Sequence, residues 1–399
     1  MIDLHSEAMR RNPYPAYDQL RSASPLFHEP RSDFWMILDY DGVRRALDDL
    51  DAFSSRAAPT GGGALDWLIF FDPPRHTKLR ALISRAFTPR SVAALEPRIR
   101  ELSRELLDRT VERGEMDVAA DFAVPLPMMV IAEMLGIPAA DRPRFVRWND
   151  VVLGMIYTVS GGAAAAQAVA EFREATLEIG AYLTRLLAER RTTPRDDLLT
   201  RLVEAEVDGE RLTQTEILGF FQLLLVAGSE TTTNLITNAV LCFVENPDQL
   251  ARVRAAPELL PSAIEEVLRY RSPLQAIFRL SRRDVELHGR VIPAGKLVLA
   301  MVGSANRDPR QFPDPGRFDV TRDPNPHVAF GHGPHFCLGA PLARLEGRVA
   351  LADFLERVKG FRPASDAPWE PRQAFHVHGA SRLPIRFEPG RRVGSAGGR

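Results

Sequence analysis

Between Thr213 and Pro247 the chain has no proline, and the centre of that stretch, Phe220 to Ala227, is apolar nearly all round. It opens on Thr213-Gln214-Thr215-Glu216, which has the form of a capping box: a hydroxyl for a free N–H, and a carboxylate three residues on that reaches back. The pattern predicts about 32 helical residues, ~48 Å at ~1.5 Å per residue. A helix apolar on every face cannot lie on a surface, so it must cross the middle of the protein.

The remaining segments predict a mainly helical chain with a minor sheet. Thr88-Pro89 reads as a cap and first helical position, followed by the apolar stripe Leu95, Ile99, Leu102 and Leu106, with Gly114 as terminator. Phe34–Tyr40, Val285–Leu287 and Lys296–Val302 read as short strands, the last two linked through Gly289 and Pro293-Ala294-Gly295. Asn306 to Pro326 is Pro-rich, lacks periodicity and is expected to be irregular. There is no internal repeat and no linker long enough to divide the chain. We therefore expect one domain over residues 1–389 and a disordered Gly/Arg/Ser tail over 390–399.

Composition narrows the function. The 51 basic and 52 acidic residues leave a net charge of −1, which gives no electrostatic reason to expect nucleic acid as a partner. Met1 to Tyr14 has no apolar signal core, and no run reaches the ~18 apolar residues of a span. No membrane association is expected. Cys242 and Cys337 are too few for an iron–sulfur cluster or a disulfide scaffold, which fits a reducing cytoplasm.

Two segments carry the chemistry. Phe330-Gly331-His332-Gly333-Pro334-His335-Phe336-Cys337-Leu338-Gly339 predicts a loop able to lie close to a flat object, with Cys337 just before a helix whose apolar face is Leu342, Leu345 and Val349. Free N–H groups at that helix start would stabilise a thiolate. Cys337 alone would equally suit a packed core thiol, but a core thiol has no need of Gly331, Gly333 and Gly339. Within the long helix, Ala227-Gly228-Ser229-Glu230-Thr231-Thr232-Thr233 combines poor helix formers, so a bend or an inserted water is expected there.

The cysteine loop resembles the haem-binding loop of the cytochrome P450 family, Phe-x-x-Gly-x-x-x-Cys-x-Gly. The resemblance implies the P450 fold, with a long central helix over haem b and Cys337 as the thiolate ligand to iron. It implies that Phe330, Gly331, Gly339, Ala227 and Gly228 lie against the cofactor or its oxygen. Glu230 and Thr231 match the acid–alcohol pair that delivers protons to dioxygen. His76 and Arg80, with Arg279 and His335, match positions that hold the propionates. Glu266 and Arg269 match the family's Glu-x-x-Arg, and Phe312-Pro313-Asp314-Pro315-Gly316-Arg317-Phe318 suggests Arg317 as the third member of that structural triad. The motifs occur in the family's order and span about Pro13 to Phe387.

The implied reaction inserts one oxygen atom of O2 into an organic substrate. The chain has no flavin or nicotinamide fingerprint, so NAD(P)H would serve indirectly, through a ferredoxin and its reductase or a flavodoxin. Docking is expected over the cysteine-loop face, where His332, Arg344 and the Arg98–Arg113 segment would present positive charge. Family position puts the substrate against Leu65, Trp67, Leu68, Ile69, Trp148–Tyr157, Leu223, Val226, Gln275, Ile277, Phe278 and His376. These are mostly apolar, implying a terpenoid, steroid, fatty acid or polyketide taken up by a monomeric enzyme. Rival readings are a haem gas sensor, a peroxide-driven oxygenase, and a hydrolase using Cys337 with His335. The Glu230-Thr231 pair argues against the first two. Poor triad geometry argues against the third.

Overall fold

The proline-free stretch is one continuous helix, Gln214–Glu245, in the computed structural model, which describes residues 3–4, 6–30, 32–56, 66–157, 163–365 and 369–392. Its start is the capping box: the Thr213 N–H donates to Glu216 Oε2 at 2.8 Å and the Glu216 N–H to Thr213 Oγ1 at 3.3 Å. The described residues fall into two compact units, one of Met1–Phe53, Ala93–Pro127 and Glu230–Arg399, the other of Ser54–Val92 and Met128–Ser229. The division passes through the long helix between Ser229 and Glu230.

The first unit holds the larger sheet. Strands β1 (Leu26–Glu29) and β2 (Phe34–Ile37) pair antiparallel, β2 lies parallel to β4 (Leu297–Ala300), and β4 pairs antiparallel with β3 (Ile277–Ser281). Alternation along β2 sends Trp35 and Ile37 into one apolar cluster and Phe34 and Met36 into another, so the strand is buried on both faces. Strand character ends at Ile37, not Tyr40. Asp39 accepts the Gly42 N–H at 3.1 Å and starts a helix at Tyr40 instead. Likewise, the strand expected over Lys296–Val302 ends at Ala300, and Val302–Ala305 turns into a short helix. Val285–Leu287 pairs with Arg290–Ile292 in a hairpin around His288 and Gly289, both at positive φ (53° and 71°).

The helix predicted from Pro89 to Gly114 is two helices, Pro89–Ala93 and Glu96–Asp108. Pro97 is the reason: it lacks the N–H that a continuing helix needs, yet is tolerated in the first turn of a new one. Glu96–Asp108 packs against Ala340–Arg357, the helix that follows the cysteine loop. Residues 306–326 are irregular, as expected. The Gly390 N–H donates to Val111 O at 2.9 Å and Arg392 pairs with Glu112 at 3.0 Å; residues 393–399 of the predicted tail lie outside the described residues.

The second unit is helical apart from one small hairpin, Glu206–Val207 with Glu210–Arg211. Its helices include Arg75–Ala86, Arg142–Tyr157 and Ala163–Thr192. Among the described residues no helix is long and apolar enough to cross a membrane.

Candidate active site

Cys337 is placed by backbone rather than by side-chain packing. Its N–H donates to Phe330 O at 2.8 Å, the Phe336 N–H to Gly333 O at 3.0 Å, and the Gly331 N–H to Val328 O at 2.9 Å. Gly331 and Gly333 sit at φ +75° and +67°, where a side chain would be strained. A Cβ on Gly333 would also lie 2.6 Å from Asp48 Oδ1 and 3.1 Å from Leu47 O, so this glycine admits a neighbouring helix. The loop closes into a short turn, Gly333–His335, and then enters the helix Ala340–Arg357. Cys337 is exposed, whereas Cys242 is buried in the long helix, where burial pushes its thiol up to about 12.

Arg344, one turn into that helix, lies 4.5 Å over the Phe330 ring and forks onto Glu265 at 2.8 and 2.7 Å. Glu265 also takes His327 Nε2 at 3.1 Å. Arg344 is raised chiefly by its bond to Glu265, with a smaller contribution from Cys337. The cationic docking face suggested by the sequence is largely self-paired. Arg98 meets Glu101, Arg100 meets Glu96 and Asp353, Arg109 meets Glu105, and His332 bonds to Arg44.

The helix runs on through the stretch where an irregularity is expected, and its polar side chains bond to nearby oxygens. The Ser229 hydroxyl bonds to Leu225 O and to Asn149 Oδ1, and Thr233 Oγ1 donates to Ala123 O at 2.9 Å. Gly228 admits Ile131, whose Cδ1 would lie 2.5 Å from a Cβ there. Ala227 is exposed amid buried neighbours. Glu230 is 6% exposed, and its Oε1 has no hydrogen-bond partner among the described residues. Burial pushes Glu230 up to about 7, partly countered by the charge of Arg372. Arg372 is held by Asn234, which accepts its Nε–H at 3.1 Å one turn further along the helix. Arg372 carried no sequence signal. Thr231 is half-buried beside Glu230.

His76 is buried and Arg80 half-buried on the helix Arg75–Ala86 of the second unit. Arg279 is buried on β3 of the first unit, two residues from Ile277, whose Cδ1 would lie 3.7 Å from a Cβ on Gly331. β3 is thus packed onto the cysteine loop. His335 ends the short turn before Cys337.

Glu266 and Arg269 form a fully buried fork at 2.7 and 2.8 Å. The third member is Arg322, not Arg317. Arg322 Nε lies 3.2 Å from Glu266 Oε2, while the Arg317 side chain is 63% exposed toward Asp319 at 3.9 Å. Arg317 contributes its backbone oxygen, which accepts from Arg269 Nη2 at 3.0 Å.

Of the proposed substrate-facing residues, Leu65 lies outside the described residues. Trp67 is buried and donates Nε1–H to Gln222 Oε1 at 3.2 Å. Leu68, Leu223 and Val226 are buried in the same unit, but Ile69 is 43% exposed. Trp148 is committed elsewhere, donating to Glu178 Oε2 at 3.1 Å. In the first unit Phe278 and His376 meet edge to face at 5.6 Å, and burial lowers His376 to about 4, so it is neutral. Gln275 is part of the scaffold: its amide donates to Ser272 O at 2.6 Å and to the Tyr14 hydroxyl at 3.4 Å.

Residues 26–375 match the cytochrome P450 family. The chain is a cytochrome P450. Its fold is the P450 fold: it is 42% identical to cytochrome P450 CYP109Q5 from Chondromyces apiculatus, with TM-score 0.89 and 98% of each chain covered. It is 40% identical to CYP109E1 from Bacillus megaterium, solved in complex with testosterone, with TM-score 0.86 over 94% of this chain and 99% of that one. Cytochrome P450 109 from Bacillus spizizenii is 43% identical over 388 residues, covering 97% of this P450 and 95% of that protein.

As a P450 it is a monooxygenase that uses haem b and O2, with electrons from NAD(P)H by way of partner proteins. The residues present fit that cofactor. A soft thiol sits on a loop opened by two positive-φ glycines, directly before a helix start.

Proposed function

We propose that this P450 hydroxylates a bulky, largely apolar substrate of steroid size, with Cys337 as the thiolate that would hold its haem and Glu230 and Thr231 as the proton-delivery pair. When bound, the haem would supply the redox chemistry that activates O2. The single observation that carries this reading is the loop around Cys337. Its N–H is tied to Phe330 O, Gly331 and Gly333 hold the loop at positive φ, and the helix Ala340–Arg357 follows directly.

Glu230 holds its proton near neutral pH, because an isolated carboxylate is costly where it is buried. A carboxyl with that affinity both takes up and gives up a proton at working pH. The Thr231 hydroxyl, next in the chain, is the group that passes it on. Arg372 positions Glu230 electrostatically and limits how far its affinity for the proton rises. Arg279, His335, His76 and Arg80 are the proposed propionate partners, with Arg suited by its planar fork.

Apolar substrate binding is supported by the partly buried Ile277 and Phe278 and by neutral His376 in the first unit. The similarity to a testosterone-bound P450 points the same way. Electrons are proposed to come from a ferredoxin with its reductase, or from a flavodoxin. The paired arginines of Glu96–Asp108 imply that docking there depends only modestly on salt.

The test is the absorption spectrum of the dithionite-reduced protein with carbon monoxide. A strongly red-shifted Soret band in the wild type, lost in Cys337→Ala, is expected. A red-shifted band that survives the substitution would exclude Cys337 as ligand. Titration with testosterone is expected to shift the ferric spin state, whereas a response only to small charged molecules would overturn the substrate class.

A further inference from the structure

Within the first unit is a pocket of ≈ 470 Å³, lined by none of the residues assigned to catalysis. Its walls include Tyr14, Tyr270, Trp369, Arg271, Arg307 and Glu245. Arg307 is 8% exposed and lies between two rings, its guanidinium carbon 4.0 Å from the Tyr14 centroid and 3.6 Å from that of Tyr270. Its Nε and Nη2 both donate to Tyr270 O, at 3.0 and 2.7 Å, and no carboxylate among the described residues forms an ion pair with it. Arg271 lies 6.0 Å from the Trp369 ring centroid and gives only Nη2 to Glu245, at 2.7 and 2.6 Å. Its buried Nε and Nη1 have no hydrogen-bond partner among the described residues.

The other charges lining the pocket do not balance these two cations. Arg11 is taken up by Glu7, and Asp18 by Arg21. Among the described residues lining the pocket, Glu245 is therefore the carboxylate left to offset two guanidiniums that are mostly removed from water. A buried cation without a full counter-charge is costly, and the unpaired N–H groups of Arg271 can each donate to an oxygen of an anion. The aromatic walls offer flat apolar surface beside them.

We propose that this pocket binds a small oxyanion, a carboxylate or phosphate group received between Arg271 and Arg307, with Trp369 covering any organic part of the ligand. The site is independent of the haem and of the substrate assigned above.

The experiment is calorimetric titration of the haem-loaded full chain with inorganic phosphate and, separately, with benzoate, at constant ionic strength. Saturable binding of at least one probe is expected, weakened tenfold or more in Arg271→Gln and in Arg307→Lys. Trp369→Ala is expected to weaken benzoate and leave phosphate unchanged, which separates an organic carboxylate site from a free-phosphate site. Because Arg307 is packed between two rings, each variant is first checked for an intact Soret band, and Trp369→Ala stands in where an arginine variant loses it. The Soret band also reports any benzoate that enters the haem pocket, since only that binding moves it. Binding of neither probe, binding left unchanged in a folded arginine variant, or benzoate binding left unchanged in Trp369→Ala would overturn the proposal.

Discussion

Arg322 Nε lies 3.2 Å from Glu266 Oε2, so the buried Glu266–Arg269 pair is completed from the end of the irregular segment, not from Arg317. Glu266 also accepts the Asp319 N–H at 2.9 Å and the Asn325 amide at 3.2 Å. Its two oxygens therefore pin residues 319, 322 and 325 to the helix Leu260–Tyr270.

That arrangement ranks three substitutions. Arg269→Gln leaves a carboxylate buried without its closest partner and should cost ~3–5 kcal/mol. Arg322→Gln removes one charged hydrogen bond of several, for roughly 1–3 kcal/mol. Arg317→Gln changes an exposed side chain and should stay within about 0.5 kcal/mol. Urea unfolding of the haem-loaded variants measures this order, and a loss at 317 equal to that at 322 would contradict it.

Glu230 predicts a pH dependence. Burial raises its folded pKa from 4.5 to about 7, so the folded protein holds a proton that the unfolded chain releases between those values. The stability this proton confers is fully present below pH ~4.5 and lost as pH rises through ~7, roughly 3 kcal/mol in all. Glu230→Gln should flatten that slope relative to wild type. In turnover, the same substitution should lower kcat by ten- to a hundredfold and remove the decline above pH ~7. An unchanged rate–pH profile would show that Glu230 carries no proton.

Arg372 acts on that same proton. Its charge lowers the proton affinity of Glu230, so Arg372→Gln should move the alkaline decline to higher pH, while Arg372→Lys should largely restore it. A variant that loses activity equally at all pH values would mark Arg372 as purely structural.

Two glycines of the long helix should respond differently to alanine. A Cβ on Gly219 would lie 2.0 Å from Asp66 O, a backbone atom, whereas one on Gly228 would meet the flexible end of Ile131 at 2.5 Å. Gly219→Ala is expected to cost ~1–3 kcal/mol through forced backbone movement, and Gly228→Ala distinctly less. Thermal unfolding of the pair decides it, and the reverse order would be inconsistent with this packing.

Much of the fold was legible because its signals are local. The capping box, the apolar helix centre and the run of glycines around Cys337 each act within a few residues, through N–H groups, φ angles and one face of one helix. Pro97 was equally visible, and its power to restart a helix was outweighed by the apolar stripe that runs through it. The candidate site was proposed from places where chemistry demands a particular residue at a particular spacing, as at Cys337 and Glu230. Gln275 shows the limit: a lone amide looks alike in sequence whether it faces a substrate or, as its Nε2 does, bonds to Ser272 O and Tyr14.

By itself, the sequence determined that a long buried helix would run from its cap to Pro247, that a cysteine would sit on a glycine loop at a helix start, and that the chain resembles the P450 family. Only the tertiary structure decided which arginine completes the Glu266 network, that Arg372 faces Glu230, and that the arginines of Glu96–Asp108 are spent on neighbouring carboxylates. Local steric rules and hydrogen bonding act over a few residues and can be read along the chain. Which of two flexible side chains reaches a buried carboxylate depends on how an irregular segment folds back, and that path is set by contacts far apart in sequence.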